Sequence, residues 1–213
     1  AIIVPGGFGT RGAEGKIACV QYARENELPY LGLCFGFQMA VIEFARNVCG
    51  LEKANSTEIK PDSAEPVIDI LPAQKEREGL GGNMRLGGHD VQVKPQSLAW
   101  RLFGQSEAVR LRFRHRYEVD PRYIETLENG GMVFSGKAPN QPIMQILELP
   151  EHPFFMGTQA HPCLTSRPLS CEPMFVGLVA AAMQKHYGGE ELPGPVEAAR
   201  KVCPKASEKT VKS

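Results

Sequence analysis

Cys34 sits in Gly32-Leu33-Cys34-Phe35-Gly36, a G-x-C-x-G pattern between an apolar run and a helical one, which is the thiol counterpart of a nucleophile elbow. Glycines two positions to either side let neighbouring backbone pass close in a sharp turn, and a cysteine at a helix N-terminus gains from the dipole, which favours thiolate. The Phe35 N–H then points toward the oxygen of a reacting group. The same five residues also fit a buried strand end with ordinary turn glycines, because a short motif alone is weak. A second glycine turn, Pro5-Gly6-Gly7-Phe8-Gly9, follows another apolar run. In a parallel sheet its end would lie beside the Cys34 strand, so that Gly7 could supply the second amide of an oxyanion hole; a plain loop is the alternative. A thiolate nucleophile needs a proton partner. His161, directly after the apolar run 154–159 and followed by Pro162, is the first candidate, and His115, inside Arg112-Phe113-Arg114-His115-Arg116-Tyr117, is the second. His152 and His186 end no buried strand and read as ordinary surface or satisfied histidines.

These groups need a scaffold that gathers strand ends. Residues 1–4 form a β-branched apolar run that stops at the glycine turn, and 15–26 carry helical spacing that Pro29 closes. Residues 30–34 read as a second short strand and 35–48 as a helix with an apolar stripe, giving strand, tight turn, helix. From 51 to 104 glycine and proline rise, which predicts loops with short strands around 67–70 and 90–93. Strand-like runs return near Ser135, at 143–149 and at 154–159, and 173–186 suits a covering helix. Alternating strand and helix predicts an α/β fold. Residues 188–213, rich in Gly, Pro, Glu, Lys and Ser, read as a disordered tail.

With 213 residues, 42% hydrophobic and 23% charged, the chain suits one globular domain and excludes a disordered, collagen-like or coiled-coil protein. Twenty-four basic against 24 acidic side chains give no invitation to nucleic acid or an anionic membrane, despite the alternating arginines near His115. No apolar run approaches the ~18 residues of a membrane span, and AIIVPGGFGT lacks the marks of a signal peptide. The six cysteines, at 19, 34, 49, 163, 171 and 203, form neither CxxC pairs nor His clusters, so no metal is expected and a reducing cytosol is.

Longer stretches carry a likeness more specific than the elbow. They are Pro5-Gly6-Gly7-Phe8-Gly9 with Arg11-Gly12 and Glu14-Gly15-Lys16, Leu33-Cys34 with Gly36, Gln38 and Ala40-Val41-Ile42, and Asn55-Ser56-Thr57-Glu58. To these add Met84-Arg85-Leu86-Gly87, Arg114-His115-Arg116-Tyr117-Glu118-Val119, and Gln159 with His161-Pro162 and Ser166-Arg167-Pro168. Across residues 1–183 the sequence resembles the class I glutamine amidotransferase domain of the CTP synthases. The resemblance implies a three-layer αβα fold with a central, mostly parallel sheet, lacking the family's first strand-helix-strand, over a domain at 1–187.

It also implies hydrolysis of L-glutamine to glutamate and ammonia through a thioester on Cys34, with His161 as general base and the Gly7 and Phe35 amides as oxyanion hole. Gln38 and Glu58 would contact glutamine, and the backbone around Arg116 and Tyr117 its amino-acid end, as a zwitterion demands. Arg11, Gly12 and Glu14 fall on the loop linked to GTP activation. No cofactor is implied in this domain. For the full-length enzyme the resemblance implies ATP, Mg and GTP, a synthetase domain on the same polypeptide that turns UTP into CTP, tetramers formed through that domain, and a cytoplasmic location.

One departure is chemical. The family shows Glu two residues after the histidine, and here Cys163 stands there. A Cys–His dyad slowed by roughly 10 to 10³ is the expectation. Rescue by Glu172, for whose folding back past Pro168 the sequence offers no reason, and a disulfide between Cys34 and Cys163 are the alternatives. A regulatory domain without catalysis is a competing reading, as is a cysteine peptidase of similar fold, for which Gln38 and Glu58 would have no purpose.

Overall fold

The computed structural model describes residues 1–71, 84–188 and 192–202. In chain order its strands are β1 (Ile2–Val4), β2 (Tyr30–Leu33), β3 (Ala54–Ser56), β4 (Glu65–Asp69), β5 (Arg85–Val93), β6 (Ala108–His115), β7 (Glu118–Val119), β8 (Val133–Lys137), β9 (Met144–Glu148) and β10 (Phe155–Thr158). Its helices are α1 (Ala13–Glu25), α2 (Phe35–Asn47), α3 (Leu98–Leu102), α4 (Ile124–Asn129), α5 (Pro173–Tyr187) and α6 (Pro195–Val202). The α/β expectation agrees with this order.

The main sheet runs β1-β2-β10-β9-β8-β5-β6, and β3-β4-β7 form a smaller one. Strands β1, β2 and β10 are parallel, with Val4 and Gly157 both opposite Gly32. Every other pair in the main sheet is antiparallel. The sheet is therefore mixed, a correction to the mostly parallel sheet that the resemblance implied. The connections between β8 and β9 and between β9 and β10 are too short for a crossover, so each of these strands turns back on the one before it, while β5 and β6 pair antiparallel with α3 between them. Helix α1, linking β1 to β2, provides a long return of the kind a parallel neighbour needs.

Side chains alternate across the central strands with a period of two. Tyr30 and Phe155, stacked with ring centroids 4.6 Å apart, face a core shared with Val20 and Ala23 of α1 and with Met39, Ala40 and Ile42 of α2. Leu31 and Met156 face the opposite core, with Leu102, Met174 and Leu178. Helix α2 is buried almost all round because α1, the main sheet and the small sheet enclose it, which explains an apolar composition exceeding one stripe.

Two segments depart from expectation. Within the tail expected at 188–213, Pro195–Val202 form α6, with Ala198 and Ala199 buried near α5 and α3. Pro195 opens this helix, and small alanines let it approach closely; a search for large apolar residues passes over both features. Residues 189–191 and 203–213 of that tail lie outside the described residues. Strand β6 is the second departure. Its apolar residues are separated by Arg110, Arg112 and Arg114, the pattern of a strand with one wet face.

Candidate active site

The turn after β2 puts Cys34 in a conformation that side chains rarely adopt, at φ 50° and ψ −98°. Neighbouring glycines make it possible. A Cβ on Gly32 would stand 2.6 Å from the Gly36 carbonyl oxygen, and one on Gly36 would collide with the Val4 carbonyl. Tyr30, fully buried, donates from its hydroxyl to the Gly36 carbonyl at 2.9 Å, and the Cys34 N–H donates to Thr158 at 2.7 Å. The elbow is thus fastened to β1, β2 and β10 together.

The glycine turn after β1 meets this elbow. A Cβ on Gly6 would lie 3.0 Å from Cε1 of His161 and 3.7 Å from Cβ of Cys34, and one on Gly7 would lie 3.6 Å from Cδ1 of Phe35. Cys34, His161, Gly7 and Phe35 are therefore brought to one place, drawn from three strand ends.

His161 leaves β10 with its N–H donated to Arg112 at 2.8 Å. Its buried Nε2 has no hydrogen-bond partner, and its Cε1–Nδ1 edge faces the Gly6 position, as Cβ of Cys34 does. Burial lowers the imidazole pKa, His115 and the Arg114 side chain act in the same direction, and the Arg114 backbone opposes them. Burial pushes the Cys34 thiol up to about 12; a hydrogen bond from the Phe35 backbone opposes this, while Glu118 and Glu58 add to it. The helix terminus suggested a thiolate, yet desolvation outweighs it and favours the neutral thiol. Cys34 Sγ has the Arg114 carbonyl oxygen 3.9 Å away.

The small sheet and the β6–β7 turn form the far wall. Gln38 Nε2 donates to the Tyr117 carbonyl at 3.1 Å, and Gln159 Nε2 donates to the same oxygen at 2.8 Å. Gln38 Oε1 is buried with no donor. Glu58 follows β3 and accepts from the Gly9 N–H at 3.0 Å, which ties the small sheet to the glycine turn. Tyr117 is half-buried and Arg116 exposed. His115, the second candidate base, lies buried against Glu118 with Nε2 and Oε1 2.7 Å apart. Sequence reasoning overlooked Glu118 and Gln159 as members of this wall; the three-residue step from His115 to Glu118 was the available signal.

Arg11, Gly12 and Glu14 are exposed at the start of α1. Gly12, at φ 71°, takes the left-handed turn that opens the helix, and Glu14 pairs with Arg46 of α2 at 2.8 Å. Cys163 lies exposed on a short 3₁₀ turn, Pro162–Leu164, and it and the buried Cys34 are both free thiols. Glu172 does fold back, contrary to the sequence expectation. Arg167 and Ser170 exchange backbone hydrogen bonds around a tight turn tipped by Pro168 and Leu169, and Glu172 Oε1 then accepts from the Thr165 hydroxyl at 2.8 Å.

Strand, elbow, glycine turn and histidine together define a class I amidotransferase, and the glutamine amidotransferase class-I family model matches residues 1–181. The chain belongs to that family. Its relatives include the CTP synthase of Thermococcus gammatolerans, 56% identical over 189 residues that make up 88% of this chain and 35% of that protein. The CTP synthase of Natronomonas pharaonis is 58% identical over 183 residues, 86% of this chain and 33% of that protein. The chain thus spans about a third of the length of the curated relatives it matches. The solved glutaminase domain of Trypanosoma brucei CTPS with bound acivicin is 37% identical, with a TM-score of 0.80 over 91% of this chain and 75% of that one. Among the described residues no helix is long and apolar enough to cross a membrane.

Proposed function

We propose that this chain hydrolyses L-glutamine to glutamate and ammonia at Cys34. The observation that carries the reading is the convergence of Cys34, the His161 ring and the Gly6-Gly7 turn beside a buried, donor-free Oε1 of Gln38. A free acceptor suits the α-ammonium of an amino acid, and the nearby Glu58 carboxylate adds charge complementarity. As the substrate carbonyl arrives, the His161 imidazole takes the thiol proton and Sγ attacks the carboxamide carbon. The Gly7 and Phe35 amides receive the oxyanion. Collapse breaks the C–N bond, and the His161 proton leaves on ammonia. Water, deprotonated by His161, then cleaves the thioester, giving glutamate and returning the proton to Cys34.

The protonation states support this order of events: a neutral imidazole is ready to accept, and the thiol ionises only as it reacts. With Cys163 exposed, no carboxylate at that position stabilises the imidazolium as it forms, so turnover is reduced. The exposed Cys163 is also what favours the second reading, a regulatory domain of the same fold.

In the whole protein, the ammonia would serve a synthetase domain of the same polypeptide that converts UTP to CTP with ATP and Mg, under GTP activation through Arg11, Gly12 and Glu14. Tetramers and a cytoplasmic location belong to the same proposal. The amidotransferase domain would cover 1–187, with α6 packed on it. The family's first strand-helix-strand would seat at β1, where a groove of about 400 Å³ is lined by Ile3, Leu178, Val179, Met183 and Tyr187.

A glutamine-mimicking electrophile such as acivicin tests the chemistry. Mass-resolved labelling of Cys34, prevented by excess glutamine, is the expected result. An unlabelled Cys34 in folded protein supports the regulatory reading.

A further inference from the structure

The β6–β7 turn carries two carbonyls that face different halves of the site. The Arg114 carbonyl meets the thiol of Cys34, and three residues on, the Tyr117 carbonyl is gripped by Gln38 and Gln159. Between them lies a buried pair, His115 and Glu118, whose side chains are 2% and 0% exposed and whose Nε2 and Oε1 stand 2.7 Å apart. Glu118 Oε2 also has Gln159 Nε2 at 3.4 Å. Nothing in the proposed reaction uses His115 or Glu118 directly. Keeping both out of water is costly unless their geometry is held and their hydrogen bonds are met, and here those bonds close the turn on itself.

We propose that His115 and Glu118 are positioning residues that fix the Arg114–Tyr117 turn, so that one buried pair sets the register between the Cys34–His161 half of the site and the Gln38 half. The inference rests on the glutaminase reading. It assigns to a pair behind the wall the anchoring of both halves: the pair holds the turn, and the turn holds the Arg114 carbonyl against Cys34 and the Tyr117 carbonyl against Gln38. Nδ1 of His115 has no partner, so the pair needs one donor at the position of Nε2. A glutamine side chain presents an amide nitrogen at that reach, while alanine presents none.

Four proteins test the pair: the parent, His115→Gln, His115→Ala and Glu118→Gln. Glutamine hydrolysis and the pH profile of Cys34 alkylation by iodoacetamide are both read, alongside melting temperature. We expect His115→Gln to keep kcat/KM within about threefold of the parent and His115→Ala to lose about tenfold or more, with kcat lowered and KM raised. Glu118→Gln should lose kcat/KM likewise. The Cys34 alkylation profile should stay at the parent's in His115→Gln and depart from it in His115→Ala, because the turn that sets the Arg114 carbonyl against the thiol is then released. Should His115→Ala not fold, Glu118→Gln carries the test through kcat/KM. Folded His115→Gln and His115→Ala that behave alike would overturn the inference, as would a Glu118→Gln variant as active as the parent. A folded parent that hydrolyses no glutamine overturns the glutaminase reading alone, and the alkylation profiles of the two His115 variants then decide on the pair.

Discussion

Gly36 approaches Val4 so closely that a methyl group on its Cα would occupy the space of the Val4 carbonyl. The nucleophile turn is therefore built against β1 as well as β2, and its glycines are required by backbone on either side. Gly36→Ala forces apart two backbone segments that no side-chain rotation can relieve. We expect a loss of roughly 1–3 kcal/mol in a urea melt, the range typical of overpacking, together with loss of hydrolysis. A variant as stable and as active as the parent would contradict this geometry.

Cys34→Ala removes the proposed nucleophile but leaves a small buried side chain, so hydrolysis should vanish while the melting temperature changes little. Residual activity within about tenfold of the parent would place the nucleophile elsewhere. The same logic predicts a gain from Cys163→Glu. Position 163 is exposed, so the larger side chain meets no packing cost, and a carboxylate there should raise kcat with little change in KM. An unchanged rate in Cys163→Glu, combined with inactive Glu172→Gln, would assign the orienting role to Glu172.

The neutral resting pair has a pH signature. The thiol is pushed up to about 12 by burial, so alkylation by iodoacetamide should be slow near neutrality and still rising above pH 9. Burial lowers the pKa of His161, and protonated His161 cannot accept the thiol proton. The acid limb of kcat/KM should accordingly fall at a pH below the ordinary histidine value of about 6.5. An acid limb centred above that value would mean that His161 is not the base.

His152 supplies a pH dependence of stability. Its Nε2 donates to the Ala23 carbonyl at 3.1 Å, and its Nδ1 accepts from the Phe154 N–H at 3.1 Å, which requires the neutral ring. Burial lowers its pKa, outweighing the raising effect of the Ala23 carbonyl. A group whose folded pKa is lowered binds more protons when unfolded. Its contribution is thus complete above about 6.5 and lost as pH falls from there through the folded value. Urea midpoints measured from pH 8 to pH 5 should decline, and His152→Asn should flatten part of that decline. Parallel profiles for the two proteins would remove His152 as the cause.

Much of the site was legible before any coordinates. The G-x-C-x-G pattern located a turn where only glycine fits on either side, and the apolar run before His161 located the strand that delivers it. Both are local signals, since the turn and the strand are specified by residues adjacent to the chemistry. The direction of the sheet was not local. Whether β9 runs with or against β10 depends on the short connection between them and on which face each strand must bury, and the likeness to a family misled on that point. Helix α6 was hidden because its buried residues are alanines, whose contribution comes from close approach and not from area.

Composition and spacing alone determined an α/β chain, a thiol at a strand-to-helix turn and a histidine after a later strand. Tertiary structure decided the protonation of that pair, since burial of Cys34 outweighs a helix terminus that the sequence displays openly. It also decided what meets Cys34 across the site. The Arg114 carbonyl, 80 residues later in the chain, stands 3.9 Å from its Sγ. A backbone carbonyl has no signature in the sequence, because every residue carries one and only the fold says which of them meets the thiol.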